Sequence, residues 1–217
     1  MNEKKTAIVT GASRGIGRAT AVELAKTGYF VIINFKSNET AAAETLKLVQ
    51  SAGGDGEVFQ FDVADTAQTK DAVKAIVERY KNIQVLVNNA GINADGLFIL
   101  MGEEEWDSVI NTTLKGFYNI TKPVLREMVQ RKCGSIVFIS SLSALMPNHG
   151  QANYAAAKAG LIETDMIKDA PVAKIKKMIP MARLGRPEEV ASVIRFLCSN
   201  DASYISGQVI GINGGIC

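Results

Sequence analysis

Short runs rich in valine and isoleucine, separated by longer amphipathic stretches, constrain this chain more than any other feature. Residues 6–10 (TAIVT), 30–35 (FVIINF), 85–87 (VLV), 135–140 (SIVFIS) and 208–212 (QVIGI) are such runs, and 57–61 is a weaker one. A strand that is apolar on both faces must be covered on both, as in a parallel sheet between two layers of helices. The stretches at about 15–27, 40–51, 66–80, 103–130 and 187–198 read as those helices. The last has a clear start: Pro187 suits the first helical position, and Glu188 and Glu189 complement the positive end of the helix dipole. This alternation predicts one α/β domain over residues 1–217, built on a doubly wound parallel sheet.

A chain of 217 residues is long enough to bury one sizeable core. A net charge of +2 is too small to imply nucleic acid or a membrane surface as a partner. No stretch is long and apolar enough to cross a bilayer, and the first residues, MNEKK, carry no apolar leader, so the chain reads as cytoplasmic. Cys133, Cys198 and Cys217 are odd in number and widely spaced, which argues against a disulfide framework. With a single histidine, His149, a Cys/His zinc site has too few ligands, and no metal is expected.

Thr10-Gly11-Ala12-Ser13-Arg14-Gly15-Ile16-Gly17 follows the first strand and opens the first helix. Glycines at such a turn permit tight bends and close approach of the backbone to a pyrophosphate, while the helix N-terminus offers free N–H groups. This is a Rossmann-like phosphate loop, and no Lys-Ser/Thr follows it, so a nucleoside-triphosphate P-loop fits poorly. Proteins that bind NAD usually place an acidic residue at the end of the second strand, for the ribose 2′-hydroxyl. Here that strand ends Asn34-Phe35-Lys36, with no carboxylate to repel a 2′-phosphate and with Arg14 and Lys36 to pair with one. NADPH (NADP+ when oxidised) is therefore favoured over NADH. Asp62-Val63, after the third strand, is suited to bordering an adenine. Asn88-Asn89-Ala90-Gly91, after the VLV run, is suited to bordering a ribose, with its asparagines also available to satisfy backbone groups of neighbouring turns.

Ser141 closes the fifth run, and Tyr154 follows thirteen residues later with Lys158 at i+4, on the same face of a helix. Reducing a ketone needs a proton donor for its oxygen. A tyrosine titrates near 10, and lowering that by about 3 units takes about 4 kcal/mol. An ammonium about 4 Å away, at an effective dielectric near 20, supplies about that much. Ser141 would then hydrogen-bond the substrate oxygen.

TGASRGIG, NNAG, Ser141 and YAAAK, in this order on this strand pattern, resemble the short-chain dehydrogenase/reductases. Within them GQANYAAAKAGL, IETDM, GRPEEVASVIRFL and GQVIGINGG are most similar to the 3-oxoacyl-[acyl-carrier-protein] reductases. The resemblance implies NADPH-dependent reduction of a 3-oxoacyl thioester to the 3-hydroxy product. It assigns Ser141, Tyr154 and Lys158 to catalysis and gives Tyr154 and Lys158 the nicotinamide-ribose contacts as well. It further implies an acyl carrier protein as partner and a homotetramer or homodimer. Arg126, Arg131 and Lys132 are candidates for holding an acidic carrier, or form a solvated helix end that favours cations in any case.

Two features depart from the family's pattern. Where the family has a catalytic asparagine in the long fourth helix, this chain has Thr113, whose hydroxyl offers a different reach toward a relay water. And Leu161 runs straight into Ile162-Glu163-Thr164, where the family has roughly 25 further residues, about the helix-plus-strand part of a βαβ unit. The lost strand would lie between the fifth run and residues 208–212, leaving backbone groups on both neighbours without partners unless the sheet closes up. A longer natural chain, a deletion, and a sheet rebuilt with fewer strands all remain open. An active reductase and a weak or inactive NADP-binding homologue are the corresponding functional readings.

Overall fold

The computed structural model describes residues 4–141, 153–154 and 179–215. The chain forms β1 (Thr6–Val9), α1 (Gly15–Lys26), β2 (Phe30–Phe35), α2 (Glu39–Ser51), β3 (Asp55–Gln60), α3 (Thr66–Tyr80), β4 (Ile83–Asn88), α4 (Glu103–Ile110), α5 (Gly116–Arg131), β5 (Ser135–Phe138) and α6 (Pro187–Leu197). The five strands are all parallel, in the order β3-β2-β1-β4-β5. The order reverses at β1, and that is where a doubly wound sheet opens a crevice at its carboxyl edge.

Strand alternation divides the core between two faces. Ala7, Val9, Val31, Ile33, Val85 and Val87 pack beneath α1, α2 and α6. Ile8, Ile32 and Leu86, one residue out of phase, pack against α3 and α5 through Val73, Ile76, Ile120 and Val124. Each fully buried aliphatic side chain contributes about 1.5–3 kcal/mol relative to exposure. The helix starts have identifiable causes. The Asp65 carboxylate accepts from Ala67 N and Gln68 N at 2.8 and 3.0 Å, capping α3. The Glu189 carboxylate accepts from Arg186 N at 2.8 Å, closing the first turn of α6 behind Pro187.

The single long helix expected over 103–130 is present as α4, a π turn at Asn111–Lys115 and α5, helical throughout. One expectation is corrected. Residues 208–212 form no strand; Val209 is 95% exposed. A strand exists only as a partner in a ladder. Among the described residues β5 is the last strand, and its Ser135, Ile136 and Val137 are only half-buried. A run that reads as a strand therefore lies outside the sheet, as expected if its inner neighbour is missing.

Candidate active site

The loop from Thr10 to Gly17 lies at the carboxyl end of β1, folded back against the ends of β2 and β4. Gly11 has φ +60°, and a Cβ there would stand 3.0 Å from Ala90 Cα. At Gly17 a Cβ would fall 2.6 Å from both Asn89 Nδ2 and Gly11 O. These two positions leave no space for a side chain, so the loop backbone packs directly against itself and the turn after β4. Arg14 precedes α1, and neither its side chain nor any acidic residue caps the first turn. An uncapped helix start behind a glycine cradle suits the diphosphate of a dinucleotide. Gly15 and Ile16 open that helix, half-buried, and Ser13 faces α2.

Three side chains that sequence reasoning did not assign, Asn34, Thr10 and Arg18, hold this loop together with Asn89, whose turn-satisfying role it did read. Asn34, 2% exposed, accepts from Gly11 N at 3.1 Å through Oδ1 and donates to Phe61 O at 2.9 Å through Nδ2. Asn89 Nδ2 donates to Thr10 O and Gly11 O at 2.9 and 3.1 Å. Thr10 Oγ1 accepts from Asn89 N and Ala90 N, both at 2.9 Å. The Arg18 guanidinium donates to Ser13 O at 2.7 Å and reaches Ala41 O and Glu44 on α2. Of the NNAG asparagines, Asn89 thus satisfies the neighbouring turn, whereas Asn88 is buried and donates to the Thr121 hydroxyl on α5 at 3.1 Å; Ala90 and Gly91 are half-buried.

Lys36 and Asp62, read separately from the sequence, meet in the structure. Lys36 Nζ lies 2.7 Å from an Asp62 carboxylate oxygen. The expectation of no carboxylate near Lys36 is corrected: none follows β2, but β3 brings one from the next strand. Val63 is buried and gives its carbonyl to Asn119 Nδ2 at 2.9 Å.

Ser141, 5% exposed, lies just beyond β5, whose ladder continues with Ile139 N donating to Asn88 O at 2.9 Å. Its side chain lies beside that of Tyr154. Asn153, fully buried, fixes the start of this segment: Nδ2 donates to Ala94 O at 3.0 Å, and Oδ1 accepts from Tyr154 N at 2.7 Å. Burial pushes the Tyr154 phenol above its ordinary value, the Ser141 hydroxyl opposes this, and the charge of Asp95 adds to the rise. Lys158 and His149 lie outside the described residues. Thr113, at the centre of the π turn, is 1% exposed and its hydroxyl has no hydrogen-bond partner. It lines a void with Thr10, Val63, Asn88, Ala90 and Phe138 that has no room for a water. Among the described residues there is no cluster of three or more possible metal ligands, and no helix is long and apolar enough to cross a membrane.

The sequence matches the short chain dehydrogenase family over residues 5–173. The chain belongs to the short-chain dehydrogenase family. Residues 160–217 also match a family described as enoyl-(acyl carrier protein) reductase. The chain is 38% identical to the 3-oxoacyl-[acyl-carrier-protein] reductase of Aggregatibacter actinomycetemcomitans, covering 98% of this chain and 99% of that protein. It is 40% identical to that of Thermotoga maritima, covering 99% and 98% respectively. With the Staphylococcus aureus (strain Mu50 / ATCC 700699) reductase, at 36% identity, the alignment is 244 residues long and takes in all of this 217-residue chain. At least 27 of its positions (244 less 217) therefore have no counterpart here. That agrees with the roughly 25 residues read as missing after Leu161.

Proposed function

We propose that this protein is an NADPH-dependent oxidoreductase acting on a 3-oxoacyl thioester carried by an acyl carrier protein. The product is the 3-hydroxyacyl thioester, in fatty-acid or related polyketide or polyene biosynthesis. The observation that carries this reading is that the fold brings the Ser141 and Tyr154 side chains together. The pair lies beyond the carboxyl end of β5, on the sheet whose β1 end carries the glycine cradle. The relatives' names supply the acyl-carrier substrate class.

Gly11, Ser13, Arg14, Gly15, Ile16 and Gly17 would receive the diphosphate, and Arg14 and Lys36 would face the 2′-phosphate. Asp62 and Val63 would border the adenine, with Asn88, Ala90 and Gly91 at the ribose side. The reduced nicotinamide supplies the hydride. Ser141 hydrogen-bonds the substrate oxygen and Tyr154 gives it a proton. Burial keeps the phenol protonated, the form that donates. Releasing that proton at neutral pH calls for a nearby cation, the role assigned to Lys158 together with ribose contacts. The chain is read as one domain over 1–217, cytoplasmic, and a homodimer or homotetramer, with no nucleic acid or membrane partner.

The test is oxidation of NADPH by an acetoacetyl thioester. Tyr154→Phe is expected to lower kcat by about 10²- to 10⁴-fold while nucleotide binding is retained; undiminished turnover would refute the reading. A second reading, a weakly active or inactive NADP-binding homologue, is favoured by the orphan Thr113 hydroxyl. It predicts nucleotide binding without measurable turnover, and turnover that rises in Thr113→Asn.

A further inference from the structure

The ends of β2 and β3 are fastened side by side at the carboxyl edge of the sheet. Phe61 N donates to Phe35 O and Gln60 Nε2 donates to Lys36 O, both at 3.1 Å. Lys36 is the first residue after β2 and Asp62 the second after β3, and their side chains form an ion pair at 2.7 Å. The two partners are unequally held. One Asp62 carboxylate oxygen accepts from Ala64 N at 2.9 Å, its own N–H donates to Gln68 Oε1 at 3.2 Å, and its side chain is 20% exposed. The Lys36 side chain is 66% exposed, so in this pair the carboxylate is the fixed member and the ammonium the movable one.

On the NADPH reading proposed above, we infer that Asp62 sets the selectivity between phosphorylated and unphosphorylated dinucleotides. It competes with a 2′-phosphate for Lys36. A nucleotide with a free 2′-hydroxyl leaves the Lys36–Asp62 pair as it stands. A 2′-phosphate must draw the ammonium toward itself while standing near a carboxylate that does not move away. Selectivity is then the difference between attraction by Lys36 and Arg14 and repulsion by Asp62. The chain discriminates less than its two cations alone would make it.

The experiment is calorimetric titration of the full chain with 2′,5′-ADP and with 5′-ADP, at low salt, for wild type, Asp62→Asn and Lys36→Gln. In Asp62→Asn the side-chain amide oxygen can still accept from Ala64 N, so the turn after β3 is kept. Because Asp62 also borders the adenine common to both ligands, the readout is their ratio: Asp62→Asn is expected to raise the affinity for 2′,5′-ADP relative to 5′-ADP by about three- to fivefold, the scale of one exposed charge interaction. Lys36→Gln is expected to weaken 2′,5′-ADP by a similar factor and leave 5′-ADP alone. An unchanged ratio of affinities in Asp62→Asn, or equal loss of both ligands, overturns the inference and leaves the cofactor reading intact. Failure of the wild type to bind either nucleotide overturns the cofactor reading itself.

Discussion

Replacing Asn34 by alanine is expected to destabilise the protein by loosening the phosphate loop. The amide is 2% exposed and works in both directions, accepting from Gly11 N and donating to Phe61 O. Alanine leaves the Phe61 carbonyl without that partner in the interior, and the Gly11 N–H without it in the half-buried loop. Each orphaned backbone group costs about 1–3 kcal/mol, and with partial relaxation the two together cost about 2–4 kcal/mol. For a chain of this length each 1 kcal/mol moves Tm by about 2–4 °C, so a loss of about 3 kcal/mol lowers it by about 6–12 °C. The loop also loses its tie to β2, and affinity for 5′-ADP falls with stability. Urea unfolding and nucleotide titration of the same variant read both effects. Asn34→Asp keeps the acceptor for Gly11 but turns a carboxylate on the Phe59 and Phe61 carbonyls, so it is expected to be less stable at neutral pH than at acid pH. A loss below about 0.5 kcal/mol in Asn34→Ala, with unchanged nucleotide affinity, would refute the two-way clamp.

Thr113→Val exchanges an orphan buried hydroxyl for a methyl group of similar size and is expected to raise stability by about 1 kcal/mol in urea unfolding, the desolvation cost removed; a loss of that size would mean the hydroxyl has a partner. The Arg183 guanidinium, with bonds of 2.8 and 2.7 Å to Glu189, holds that carboxyl down at about 2, so the stability it lends to α6 is present above its ordinary value of 4.5 and lost as pH falls from there toward 2. Glu189→Gln should flatten that part of the stability–pH curve, and a slope equal to wild type would count against the pairing. Burial pushes the Cys198 thiol up to about 12, whereas Cys133 is exposed. Brief alkylation at mildly alkaline pH, read by peptide mapping, should modify Cys133 and spare Cys198 until urea is added; equal labelling would show that the α6 face opens in the native state.

β1, β2 and β4 were legible because each is a run of buried, largely β-branched residues, and burial on both faces leaves that trace in composition; β5 keeps the trace though half-buried, and β3, with Val58 as its one β-branched residue, leaves only a weak one. Residues 208–212 carry the same trace and form no strand, because pairing belongs to two segments and the sequence of one says nothing about whether the other is there. The glycines at 11 and 17 announced a close backbone approach, and the structure shows what approaches. Asn34 was hidden: inside a strand-like run it reads as one polar residue among Ile and Phe, and only the fold shows that its amide faces the loop after β1. The Lys36–Asp62 pair was hidden for a related reason. The two are 26 positions apart, and only the parallel register of β2 with β3 makes them neighbours. The Ser141–Tyr154 pair was visible as types and spacing. Asn153, which anchors Tyr154 to the segment after β4, is a tertiary contact and left no mark.

The side chains that fasten the phosphate loop are amides and a hydroxyl, joined by one guanidinium donating to the Ser13 carbonyl. Amide and hydroxyl side chains have no charge to gain or lose near neutral pH. Added salt screens exposed ions far more than it weakens short, buried amide bonds. The cradle's amide bonds therefore hold as ionic strength varies, and the charges at its rim are those of Arg14, Lys36 and Asp62. The diphosphate is common to 5′-ADP and 2′,5′-ADP, so the difference between their salt slopes reports on the rim, and a measurement in solution can separate the part of the site that gives shape from the part that senses charge.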